Sequence, residues 1–258
     1  MMTANFASPP PSVETVFAHG QDSAAPESLV TVAVSLFNYA RFIGPCLNSV
    51  ATQLHPALDL IVVDDASDRD TSVEVAATWI ETNAHRFARS LLLRHTRNQG
   101  LAQSRNTAFA HARGDFVFVL DADNMIYPRA ISRLHEVLRQ EDFAAAYTQL
   151  EFFGQKKRLG YADLFRRRNF ESGNYVDAMA LVRKASWQAV GGYTHLEGGW
   201  EDYDFWCKLI EHGMEAAYVP EILCRYRVHK TSMLRTETNK NDADLRTQLS
   251  LRHPWLKL

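Results

Sequence analysis

The chain has 258 residues, 46% of them hydrophobic, and its 28 Lys and Arg against 30 Asp and Glu give a net charge of −2. That balance excludes a general nucleic-acid binder, which needs a basic excess to meet phosphates, while the length suits one sizeable α/β core. Cys46, Cys207 and Cys224 are odd in number and lack C-x-x-C spacing, which disfavours a disulfide framework or structural zinc and fits a reducing compartment. No apolar run approaches the ~20 residues of a bilayer span and the N-terminus lacks signal-peptide character. The sequence therefore predicts a soluble, cytoplasmic protein, with peripheral membrane contact left open.

Residues 1–28 carry Pro9-Pro10-Pro11 and little periodicity, and read as a disordered tail or linker. From there apolar runs alternate with helical patterns. Strands are expected at Leu29–Phe37, Leu58–Val63, Leu91–Arg94 and Phe116–Leu120; helices at Tyr39–Gln53, Thr71–Asn83, Leu101–Arg113 and Arg129–Gln140. Such alternation predicts parallel strands joined by crossover helices. Beyond Phe143 the pattern loosens, with strands expected at Ala145–Phe153, Tyr175–Val182 and Ala216–Val219 and helices at Lys184–Ala189 and Asp202–His212. The second half reads as an α+β extension on a mostly parallel, Rossmann-like sheet.

Each early strand ends in polar residues: Asn38-Tyr39, Asp64-Asp65-Ala66-Ser67-Asp68, Arg97-Asn98-Gln99-Gly100 with Arg105-Asn106 beyond, and Asp121-Ala122-Asp123. In a parallel sheet these clusters share the carboxyl edge, where open α/β sheets bind ligands. Strand alternation turns Asp121 and Asp123 to one side and Ala122 away. A D-x-D alone is as well explained by a turn or a helix cap; the accompanying clusters favour a divalent cation holding a diphosphate.

With these motifs in place, the chain resembles a family 2 glycosyltransferase of GT-A fold. The resemblance rests on Val34-Ser35-Leu36-Phe37-Asn38-Tyr39, Ile61-Val62-Val63-Asp64-Asp65-Ala66-Ser67, Asn98-Gln99-Gly100-Leu101-Ala102 through Arg105-Asn106, Asp121-Ala122-Asp123, Val190-Gly191-Gly192-Tyr193, Gly199-Trp200-Glu201-Asp202-Tyr203-Asp204 and Tyr226-Arg227-Val228-His229. It implies sugar transfer from a nucleoside diphosphate sugar, usually with inversion and with Mg²⁺ or Mn²⁺. It also implies one domain over 29–258, with a nucleotide-binding half (29–124) and an acceptor-side half (125–258). By the same resemblance Phe37, Asn38, Asp65 and Asn98 belong to the nucleotide pocket, Arg105 sits near the base, Asp121 approaches the ribose or a metal-bound water, and Asp123 ligates the metal.

General chemistry supports several of these roles independently. A cation bridging two phosphates stabilises the leaving diphosphate, and needs only one or two protein carboxylates beside substrate oxygens and water. His229 is either a further metal ligand or phosphate contact, or a surface-loop histidine. Arg227 and Lys230 read as solvated charges. Asp202 is the candidate base; its alternative is a helix N-cap box shared with Glu201, which otherwise holds acceptor or loop. Trp200, beside Gly198-Gly199, is the candidate acceptor contact, whereas Trp187 and Tyr193 suit core packing equally well. Lys156-Lys157-Arg158 and Arg166-Arg167-Arg168 read as a solvated face or as a contact for an anionic acceptor or membrane. His85, His95, His111, His135 and His212 lack metal spacing and read as surface or helix-end residues.

The absence of a Gly-rich phosphate loop at Phe37-Asn38-Tyr39-Ala40 disfavours a nucleotidyltransferase or dehydrogenase. The remaining rival is a non-catalytic sugar-nucleotide or glycan binding module, which would be expected to lack Asp123 or Asp202. The expected partners are a UDP- or dTDP-sugar donor and a glycan or lipid-linked acceptor.

Overall fold

The structure is a computed structural model that describes residues 12–20, 27–230, 232, 238 and 240–258. In chain order its strands and helices are β1 (Val13–Gly20), β2 (Val30–Leu36), α1 (Ala40–Ala51), β3 (Leu58–Asp64), α2 (Ser72–Asn83), β4 (Arg89–His95), α3 (Leu101–His111), β5 (Phe116–Asp121), β6 (Met125–Ile126) and α4 (Ala130–Gln140). They continue with β7 (Ala145–Gly154), β8 (Arg158–Leu159), α5 (Arg167–Phe170), β9 (Ala180–Arg183), α6 (Lys184–Ala189), α7 (Glu201–Glu211), β10 (Ala216–Val228) and α8 (Asp242–Arg252).

One mixed sheet runs in the order β1-β4-β3-β2-β5-β9-β7-β10-β6, with β8 on β7. β4, β3, β2 and β5 are parallel, as expected, and β7 pairs parallel with β10, while β9 joins the two sets antiparallel. Every residue of β2 and β3 is buried, the signature of strands covered on both faces. Alternation assigns Val30, Val32, Val34, Leu58, Leu60 and Val62 to the layer of α1, α2 and α4. The opposite face sends Ala33, Ile61 and Val63 to the layer of α3, α7 and α8. The chain steps outward from β2 to β3 and β4, then returns to β5 on β2's other side. That reversal opens a crevice at the carboxyl ends of β2 and β5, where the polar clusters lie.

The described part of the first 28 residues departs from the tail reading: Val13–Gly20 forms β1, antiparallel to β4, with a bulge between Thr15 and Phe17. Its mostly exposed side chains, with only Val13 and Phe17 partly covered, give this edge strand no alternating apolar signal. The rest of that segment lies mostly outside the described residues. Only Ala180–Arg183 of the expected Tyr175–Val182 strand is extended pairing, because Asn174 and Asp177 side chains accept the backbone N–H of Val176 and Met179. β10 instead runs on to Val228, absorbing Pro220 at register shifts between Val219 and Cys224. β6, β8, α5 and α8 have no counterpart among the sequence expectations. All three cysteines are free and buried, and among the described residues no helix is long and apolar enough to cross a membrane.

α8 is held by charge. Asp204 of α7, fully buried, accepts from Arg252 Nε at 2.5 Å and faces His253 Nε2 at 3.1 Å and Lys208 Nζ at 3.3 Å. These partners overcome the penalty of burial and keep its carboxyl well below the usual carboxylate range. Asp204→Ala removes the anion from Arg252 and Lys208 and the partner of His253 Nε2, and is expected to cost about 3–5 kcal/mol of unfolding free energy. Chemical denaturation against the wild type measures it.

Candidate active site

The crevice is framed by loops under backbone constraint. The three non-glycine residues with positive φ among the described residues, Asn38 (54°), Ala66 (61°) and Trp200 (63°), all lie in its rim, and such strain concentrates at functional sites. Asn38, after β2, accepts the amides of Asp68 and Arg69 at 3.1 and 2.9 Å and donates to Asp68 Oδ1, locking the β2 and β3 ends together. Phe37 stands half-buried beside it.

Asp65 is buried at the end of β3. It accepts the amides of Gln99 and Gly100, both at 2.8 Å, and lies 2.6 Å from His95 Nδ1. His95 is fully buried, with Thr107 Oγ1 2.9 Å from its other nitrogen, so it is a positioning residue for Asp65 and not the surface histidine expected. Its signal in the sequence was only its place after Leu91-Leu92-Leu93. Asn98 is exposed and makes one long bond, 3.4 Å, to the Asp65 carbonyl. Gly100 opens α3 at φ 85°, and a Cβ there would meet His195 at 2.6 Å.

Arg105 of α3 reaches across to the end of β5 and the start of α7. Its guanidinium, 2% exposed, donates to Asp121 at 3.0 and 3.3 Å and to Glu201 Oε1 at 3.0 Å, over the Tyr193 ring. Burial opposes its charge, but Asp121 and Glu201 outweigh burial and keep it firmly protonated. One cation thus ties the end of β5 to the first turn of α7.

β5 stops at Asp121, whose carbonyl accepts the Asn124 amide in a turn, so strand alternation does not extend to Asp123. The two carboxylates accordingly meet different partners. Asp123 is buried with Oδ2 2.8 Å from His229 Nε2, and burial raises its pKa against the lowering effect of that contact. His229 is no surface residue: it is 5% exposed and packs on Phe42 and Tyr39, with ring centroids at 4.6 and 5.6 Å. Arg227 is not a free solvated charge either. Its Nε donates to the Asp123 carbonyl at 2.7 Å and its guanidinium stacks on Phe42 and Phe153. Among the described residues no three His, Cys, Asp or Glu side chains are assembled as a metal cage. A buried carboxylate paired with imidazole still fits Mn²⁺ or Mg²⁺ in the mode where phosphates and water fill most of the coordination sphere.

Asp202 lies one residue into α7. Its Oδ2 accepts from Asn174 Nδ2 at 2.9 Å and its Oδ1 from the Tyr203 amide at 2.8 Å. Burial and the adjacent Glu201 push its pKa up to about 7, against the pull of Arg105. Asp177, not among the expected site residues, joins the cluster: burial raises its pKa to about 6, with Asp121 and Asp123 adding to it and Arg105 and the Met179 amide opposing. A lone carboxylate inside the apolar run Tyr175–Leu181 was its only trace in the sequence.

The Gly191-Gly192 turn docks on α3 through Asn106, which accepts from Tyr193 N at 2.8 Å and Trp187 Nε1 at 3.0 Å. Gly192 has φ 73°, and a Cβ there would come within 2.8 Å of Asn106 Oδ1. Trp187 stacks on Phe109 and Tyr193 on Phe205, so both belong to the core. Trp200 remains partly exposed beside Tyr203 at the start of α7.

Glycosyl transferase family 2 matches this chain over residues 31–189. The chain belongs to glycosyltransferase family 2. An uncharacterised glycosyltransferase of Nostoc sp. is 31% identical over 134 residues, covering 52% of this chain and 40% of the relative. Uncharacterised glycosyltransferase YibD of Escherichia coli is 25% identical across 82% of this chain and 65% of its own length. The chain thus spans about 40–65% of these relatives. The fold is GT-A: residues 1–349 of S. aureus TarS, solved with UDP-GlcNAc, superpose with a TM-score of 0.66 at 16% identity, covering 81% of this chain and 60% of that one. Mannosyltransferase PcManGT from Pyrobaculum calidifontis, in complex with GDP-Man and Mn²⁺, gives 0.63 at 24% identity, covering 79% and 58%.

Arg105→Met would leave Asp121 and Glu201 facing a neutral side chain in a buried setting. It is expected to cost about 3–5 kcal/mol in denaturant unfolding. Arg105→Lys should cost less, because lysine keeps the charge but not the fork that reaches both carboxylates.

Proposed function

We propose that this family 2 member transfers a sugar, of hexose type, from a nucleoside diphosphate donor to an acceptor hydroxyl with inversion, by a single displacement. The observation that carries the reading is the placement of Asp202: a carboxylate held by Asn174 at the mouth of the crevice and next to Glu201, which Arg105 ties to Asp121, with burial and Glu201 pushing its pKa up to about 7. A base with that pKa is largely unprotonated just above neutral pH yet basic enough to accept a hydroxyl proton in the transition state.

In this reading the donor lies across the carboxyl ends of β2 to β5. Phe37, Asn38, Asp65 and Asn98 frame the base and ribose, with Asp65 held in orientation by His95; Asp121 approaches the ribose and Arg105 fixes Asp121. Asp123 and His229 would hold Mn²⁺ or Mg²⁺, which when bound offsets charge on the departing diphosphate. Asp202 takes the proton from the acceptor hydroxyl, and the oxygen attacks the anomeric carbon opposite the diphosphate. Trp200 offers an aromatic face to the acceptor sugar, with Glu201 beside it. Positioning of both substrates supplies much of the rate. The division into a nucleotide half (29–124) and an acceptor half (125–258) follows the same line. Neighbouring folds hold UDP-GlcNAc and GDP-Man, and a 22%-identical relative, WfaP, is named for UDP-Glc and a diphosphoundecaprenol-linked acceptor. A UDP- or dTDP-sugar and a glycan or lipid-linked acceptor are therefore the first substrates to test.

Incubation with Mn²⁺, donor and acceptor should release nucleoside diphosphate together with an inverted product. Donor binding without release would point to the binding module instead. Asp202→Asn is expected to lower kcat by at least ~10²-fold with donor affinity retained. The acid limb of the kcat/KM profile should fall near pH 7, activity being lost as pH drops and Asp202 gains its proton. Glu201→Gln removes a charge that raises the Asp202 pKa, so its acid limb should move to lower pH. Calorimetric titration with UDP should show Mn²⁺-dependent tightening in the wild type and none in Asp123→Ala.

A further inference from the structure

The charges of this chain are unevenly placed. Between Gln155 and Tyr175 six basic residues, Lys156, Lys157, Arg158, Arg166, Arg167 and Arg168, outnumber the segment's two acidic ones, Asp163 and Glu171, for a local net of +4 in a chain of −2. All six are exposed, and among the described residues none is paired with a carboxylate. The same segment holds three of the seven large apolar side chains that stand exposed among the described residues: Leu159 (56%), Tyr161 (66%) and Leu164 (47%).

These features are gathered by the fold. Tyr161 packs against Tyr175, whose hydroxyl donates to the Leu164 carbonyl at 2.7 Å and accepts the Arg166 amide at 3.1 Å. Phe165 anchors the segment from below, against Tyr147, Phe170 and Trp206. Its backbone is therefore fixed while its apolar tips stay bare. Arg166, Arg167 and Arg168 also line a cavity of about 590 Å³ with Phe165, Met214 and the acidic Glu215. The segment leaves β7 at the carboxyl edge of the sheet, and Asn174, near its other end, holds Asp202.

We infer that the 155–175 segment docks this protein on an anionic lipid bilayer. Exposed cations without carboxylate partners, although Arg158 and Arg167 lie over the Phe152 and Trp255 rings, supply attraction to acidic headgroups, and Leu159, Tyr161 and Leu164 supply apolar groups that gain by entering the interface. Bare aliphatic tips between the cations distinguish a bilayer from a soluble polyanion, which would reward charge alone. The inference does not depend on the sugar-transfer reading, because docking needs neither donor nor metal.

Sedimentation with phosphatidylcholine vesicles containing phosphatidylglycerol tests it, without nucleotide. The wild type is expected to bind, to be released by high salt, and to ignore pure phosphatidylcholine. Each neutralised cation should weaken partitioning roughly fivefold, so Arg166→Ala/Arg167→Ala/Arg168→Ala together should lower it roughly a hundredfold. Leu159→Ser/Tyr161→Ser/Leu164→Ser should lower it at least roughly tenfold with all cations intact. Thermal unfolding of both variants, matching the wild type, excludes misfolding as the cause. Failure of the wild type to bind acidic vesicles overturns the proposal. So does binding that survives the apolar triple substitution and is displaced by inorganic diphosphate.

Discussion

A guanidinium group buried between two carboxylates is the constraint on which the candidate site depends. Arg105 reaches from α3 to Asp121 at the end of β5 and to Glu201 at the start of α7, 96 residues further along the chain than itself. Burying one charge alone is costly, and only a partner set of this kind makes it tolerable. The consequence is geometric: the turn that carries Asp123 and the helix that carries Asp202 are referenced to the same cation. Asn106, one residue on, repeats the linkage by holding the Gly191-Gly192 turn that leads into α7.

Around that cation the cleft is crowded with negative charge. Burial raises the proton affinity of Asp123, Asp177 and Asp202, and neighbouring carboxylates add to it: Asp121 on Asp123, Asp121 and Asp123 on Asp177, Glu201 and Asp177 on Asp202. One arginine cannot neutralise five carboxylates. A diphosphate entering such a pocket gains from a bound cation, and a carboxylate at its mouth gains from a nearby proton. In the proposed reading, metal binding at Asp123 and basicity at Asp202 would share this electrostatic origin.

Much of this was legible in the sequence because strands β2 to β5 are continuous apolar runs that end abruptly in polar residues. Covered strands leave that mark, and it located the carboxyl edge of the sheet. The pairing of Asp123 with His229 was readable only as two motifs far apart in the chain, and no periodicity could tell that they meet at 2.8 Å. Arg105 was visible as a motif residue, but its partners depend on the packing of α3 against α7. Asp177 and His95 were hidden because each lies in or beside an apolar run with no spacing signature of its own. β1 escaped for the opposite reason. An exposed edge strand needs only backbone pairing, and its side chains are free to look like those of a loop.

That edge strand also bears on how the chain behaves in a crowded solution. β4 would otherwise present a full row of unsatisfied amide and carbonyl groups, a ready template for strands of other molecules and a route to fibrils. Val13–Gly20 occupies that row, and its bulge near Thr15 and Phe17 interrupts the regular spacing that a stacking strand would need. At the sheet's far side the two-residue β6 pairs with only Cys224 and Arg225 of β10. The bulged β1 edge thereby works against self-association at that margin of the sheet.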